Sequence, residues 1–182
     1  MQLRAFVCLA AALMLTTVAV SAAPTDAGGG RVYKTGTAIL KGGQTYDLDR
    51  ARHSEWGADI HLKASPRSLN PPELAPKLAA EFGFIGKVRP DFRRCNRAAR
   101  SSSPIRVSML KKGMHVCVRT TSGNVGYLTV VAPYNPRENA MGFRFRLWEK
   151  PQCCAIAGGH YRVDRGKCAR EGKPVPEENC RK

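Results

Sequence analysis

Acidic side chains are scarce in this chain: 14 Asp and Glu stand against 30 Lys and Arg, giving a formal net charge of +16 over 182 residues. Such a balance points to anionic partners. Aromatic residues are few near the densest basic stretch, with only Phe84 and Phe92 there. This argues against a surface that reads nucleic-acid bases by stacking. After the first two dozen residues no run is long and apolar enough to span a bilayer, so the mature chain is expected to be soluble, with no transmembrane segment. Paired C-x-x-C knuckles are missing, which disfavours a structural zinc site. The sequence also lacks a G-x-S-x-G elbow, an H-E-x-x-H helix and a phosphate-binding glycine loop. No enzyme, cofactor or metal is therefore expected.

The first residues carry a distinct pattern. Arg4 precedes an apolar run broken only by Thr16 and Thr17, and small residues close it through Ser21, Ala22 and Ala23. Residues 1–22 read as a secretory signal peptide cleaved after Ala22. The protein is thus expected to be extracellular. Export agrees with the cysteines: Cys8 leaves with the signal, and Cys95, Cys117, Cys153, Cys154, Cys168 and Cys180 remain, an even number in an oxidising compartment. Three disulfides are expected, with Cys95–Cys117 as the best single pair.

The remaining chain is read as a disordered lead-in over 23–30, a β-rich domain over 31–149 and a disulfide-stapled tail over 150–182. Tyr46 and Leu48 alternate with Asp47 and Asp49, and Trp56, Ala58, Ile60 and Leu62 share one face, as in half-buried strands. Asn70, Pro71, Pro72 and Glu73 resemble a helix start, followed by a stripe of Leu74, Ala75, Leu78, Ala79 and Phe82 and a closing Gly83, so a helix of ~12 residues is predicted there. Ile105, Val107 and Met109, the turn Lys111-Lys112-Gly113, then Met114, Val116 and Val118 suggest a hairpin. Met141, Phe143, Phe145 and Leu147 line one face, opposed by Gly142, Arg144, Arg146 and Trp148. The expected fold is mainly β with one short helix: a small antiparallel sandwich or barrel plus a cystine-rich tail.

Asp47-Leu48-Asp49, Gly57-Ala58-Asp59-Ile60 and Val116-Cys117-Val118-Arg119-Thr120 with Gly123 occur in this order. This succession resembles small extracytoplasmic β-domains of actinobacterial secreted proteins over roughly residues 31–132. The resemblance implies a β-rich module with a structural cysteine, and assigns no activity and no catalytic residue.

Charge is concentrated. Residues 86–119 hold ten cations against Asp91 alone, whereas residues 24–85 are nearly neutral. Arg93, Arg94, Arg97 and Arg100 lead into Ser101-Ser102-Ser103, read as a flexible loop whose guanidinium groups suit phosphates or carboxylates. With Lys111 and Lys112 they form the expected binding site for an anionic polymer or surface: cell wall, anionic lipid or nucleic acid. The competing reading is a solvated face that keeps a monomer soluble. An extracellular protein partner is the alternative, the loop Arg165-Gly166-Lys167 being suited to an inhibitor that enters an acidic hydrolase pocket. A secreted nuclease would need a histidine pair, and His61 and His115 are the pair that could meet across a sheet. Asp47, Asp49 and Asp59 could form a carboxylate cluster for calcium or acid–base work, but are expected to pair with arginines, Arg119 included.

Overall fold

The computed structural model describes residues 31–65, 69–149, 151–156, 160–165, 168 and 173–175. The expected signal peptide and lead-in lie outside these. Strands β1 (Val32–Lys41), β10 (Ala140–Trp148), β9 (Val125–Asn135), β8 (His115–Arg119) and β6 (Glu81–Gly86) form one antiparallel sheet, in that order. A second antiparallel sheet runs β3 (Arg52–His53), β2 (Thr45–Asp47), β4 (Ile60–Lys63), β5 (Glu73–Pro76) and β7 (Ile105–Arg106).

Alternation decides which face each residue takes, and the apolar faces meet. Leu40, Phe82, Val116, Val118, Leu128, Phe143, Phe145 and Leu147 from the first sheet join Tyr46, Leu48, Ile60, Leu62 and Leu74 from the second in one buried cluster. The described residues therefore form a β-sandwich, with no closed barrel among them. Beyond it, β12 (His160–Arg165), β11 (Pro151–Ile156) and β13 (Lys173–Pro174) form a three-stranded sheet. Cys154 bonds Cys168, Cys153 is disulfide-bonded too, and Cys180 lies outside the described residues.

Four expectations from the sequence are corrected. The predicted helix over 70–83 is instead two strands, β5 and β6. Pro76 would have removed a hydrogen bond from the helix interior, and Leu74 and Ala75, adjacent in sequence, are both buried. Leu78 is exposed, at a positive φ of 52°. Among the described residues the one α-helix, α1, is Phe92–Ala98, so Arg93, Arg94 and Arg97 are helical rather than in a loop. The hairpin arm at Ile105 is a two-residue strand followed by a 3-10 turn at Val107–Met109. Trp56 is 86% exposed, because Gly57 turns the chain at a φ of 70° before Ala58 enters the core.

The three aspartates do come together, one oxygen of each within 4.8 Å of the others. Their bonds are structural. Asp59, fully buried, accepts the Leu48 N–H at 2.8 Å and the Thr121 N–H at 2.7 Å, tying a loop of each sheet to the other. Asp47 pairs with Arg50 at 3.2 Å, and Asp49 accepts from the Asn124 side chain. Arg119 pairs with Glu81, not with an aspartate.

Burial pushes the Asp59 carboxyl up to about 6, even though the Thr121 and Leu48 N–H groups pull it down; nearby Asp49 adds to the rise. Folded Asp59 thus holds its proton more tightly than the unfolded chain does. Its stabilising contribution is full below pH ~4 and is lost as pH rises through about 6. Asp59→Asn, which cannot titrate, should remove this slope. From pH 4 to 7 the wild type should lose about 2–3 kcal/mol relative to the variant in urea unfolding. Parallel pH profiles would contradict this.

Candidate anion-binding groove

The outer face of the first sheet is covered at one end and open at the other. Helix α1 begins at Asp91, whose Oδ1 accepts the Arg94 N–H at 2.8 Å. Its seven residues are too few to hold a helix unaided. Three contacts anchor it. Cys95 is bonded to Cys117 on β8. Phe92 packs edge-on against Trp148 with ring centroids 5.9 Å apart, and such burial contributes about 1.5–3 kcal/mol. Arg119 donates to the Asn96 side-chain oxygen at 2.9 Å. Trp148, on the polar side of its strand by alternation, is fully buried under this helix. Gly83 permits the close approach, since a Cβ there would strike the Ala98 carbonyl oxygen.

The open end is basic. The register sets Thr37, Arg144, Thr129 and His115 side by side across β1, β10, β9 and β8, and Thr35, Arg146, Tyr127 and Cys117 in the next row. Lys87 and Arg89, just after β6, and Arg94 on α1 border the same face. The result is a cleft of about 720 Å³ lined by these three cations with Arg144 and Arg146; Asp91 is the single acid of its lining. It shares Tyr127, Arg144 and Arg146 with an adjoining cleft that reaches Thr35 and Thr37. Arg94 donates to the Arg89 carbonyl at 2.8 Å, tying the helix to the loop before it.

His115 sits at the edge of this cleft. Its Nδ1 lies 3.0 Å from the Thr129 hydroxyl, and its ring meets Tyr127 edge-on. Burial holds its pKa below the ordinary imidazole value. His61 lines a different cleft, on the second sheet, with His53 and Lys77. Its pKa is lowered by burial and then by Lys77 and Lys63. The two histidines belong to separate sheets, so the pairing considered from the sequence is not formed.

Of the cations expected to bind, Arg94 enters the groove. Arg93, Arg97 and Arg100 are exposed around α1, and Lys111 and Lys112 are exposed in the turn before β8. None of these five is among the lining residues. Arg144 and Arg146 were legible only as the polar side of a strand. Their neighbours come from strand register, which the local charge density does not encode. Gly166 and Lys167 lie outside the described residues. Among the described residues no helix is long and apolar enough to cross a membrane. Comparisons with protein-family models, curated proteins and solved structures find no match to this chain.

Proposed function

We propose that this is an exported basic binding protein that engages an anionic polymer or surface through the groove between α1 and the open face of the first sheet. The observation that carries this reading is the convergence of five cations, from three separate segments, on one cleft whose lining includes a single carboxylate. Charges held together in this way repel one another. A polyanion relieves the repulsion and releases its own counterions. A surface charged only for solubility has no need to gather arginines from β10 and α1 into one concavity. The apolar run at the start of the chain and the disulfides support export. The exposed cations Arg93, Arg97, Arg100, Lys111 and Lys112 add long-range attraction around the groove.

The test is titration of the purified protein, at two salt concentrations, against a labelled thymidine oligomer, anionic vesicles and a phosphodiester wall polymer. Binding that weakens steeply with salt supports the reading. Binding indifferent to salt, or none to any of the three, removes it.

A further inference from the structure

We propose that the row Arg144–Thr129–His115 is a phosphate subsite of the groove, with His115 as its proton-dependent contact, so that capture of a phosphodiester takes up a proton. This rests on the groove being the anion-binding surface.

The row is built by register. Thr129 stands opposite Arg144 on one side and opposite His115 on the other. Directly opposed side chains on neighbouring strands have Cβ atoms about 4.5–5.5 Å apart. A guanidinium and an imidazole therefore flank one hydroxyl on an open face. Guanidinium, hydroxyl and imidazolium are all donors to a phosphate oxygen. Thr129 also fixes the ring. A hydroxyl can donate to Nδ1 when the imidazole is neutral and accept from Nδ1–H when it is charged, so the 3.0 Å contact serves both states. The ring need not turn on protonation, and Nε2 is the nitrogen left for a ligand.

Charged groups face the cleft beside His115 from each neighbouring element. Arg144 and Arg146 face the cleft from β10, Lys87 and Arg89 from the segment after β6, and Arg94 and Asp91 from the start of α1. Tyr127 contributes a ring edge from β9. Without ligand, burial favours the neutral ring. A bound phosphate gives the imidazolium a partner. The ligand thus raises the affinity of His115 for its proton and, reciprocally, the proton raises the affinity for the ligand. One site can change affinity by at most about tenfold per pH unit.

The experiment uses the full mature chain and a thymidine oligomer, whose bases and phosphodiesters do not titrate near neutrality. From pH 7.5 to 5.0 the wild type should bind about five- to tenfold more tightly. His115→Gln should abolish that dependence, binding with the same affinity at pH 7.5 and pH 5.0. Arg144→Gln should weaken binding at both pH values. Following the His115 ring by NMR in the unsubstituted protein should show its titration move to higher pH when the oligomer is added. A pH dependence that survives in His115→Gln, or a ring titration unmoved by the oligomer, overturns the subsite and leaves the groove standing. If Arg144→Gln and Arg146→Gln leave affinity intact at every pH, the groove reading itself falls.

Discussion

Changing Arg94, Arg144 and Arg146 together to glutamine should flatten the salt dependence of polyanion binding and weaken it most at low salt. The five cations of the groove can each neutralise about one phosphate. On a single strand every such contact contributes about 0.7 to the slope of log affinity against log salt. Wild type should therefore lose about a hundredfold in affinity between 50 and 200 mM salt. The triple variant keeps Lys87 and Arg89 and should lose only about sevenfold. The side chains concerned are exposed or half-buried and outside the apolar core, so the fold should survive. Fluorescence titration at four salt concentrations, with a thermal melt as control, measures this. Equal slopes for a folded variant would show that other cations hold the ligand.

The second large effect is on stability. Cys95→Ala with Cys117→Ala should lower the unfolding free energy by about 3 kcal/mol. The bond closes a loop with a sequence separation of 22, and both sulfurs sit in the apolar cluster that docks α1. Without it, Phe92 and the Arg119–Asn96 contact must hold a seven-residue helix alone. Binding should weaken less than in the arginine variant, because Arg144 and Arg146 stay fixed on β10 while Arg94 is loosened. Urea unfolding of oxidised wild type and variant reads the effect. A difference under 1 kcal/mol would mean that α1 docks without its covalent tie.

These consequences trace back unevenly to the sequence. The strand β10 could be read directly: Met141, Phe143, Phe145 and Leu147 alternate and are all buried. The Cys95–Cys117 bond, expected only as the best single pair among many pairings, is formed. The helix could not be read, for two reasons. The stripe from Leu74 to Phe82 fits a 3.6-residue period, yet Pro76 forbids a helix interior there, and pairing with β4 and β8 takes these residues instead. The real helix shows only Phe92, Cys95 and Ala99 on its apolar side, amid arginines. Its usable signal is Asp91 as a cap three residues before Arg94.

The groove was half legible for a related reason. Lys87, Arg89 and Arg94 lie in the basic stretch that composition picks out. Arg144 and Arg146 lie some fifty residues further on and reach the same cleft only because β9 pairs with both β8 and β10. Trp148 shows the same limit. Alternation puts it on the polar side of β10, and only the docking of α1 explains its burial.

Whether the ligand sits in the groove or on the basic stretch at large can be decided by one paired titration. Arg144→Gln/Arg146→Gln and Arg93→Gln/Arg97→Gln/Arg100→Gln are compared with wild type against the same thymidine oligomer at 50 mM salt. The groove pair removes two cations and the helix trio three, so charge count alone would make the trio the weaker binder. Site geometry gives the opposite order: about tenfold or greater loss for the pair and no more than about threefold for the trio. A trio that binds as weakly as the pair, or more weakly, would contradict the groove as the site of polyanion binding.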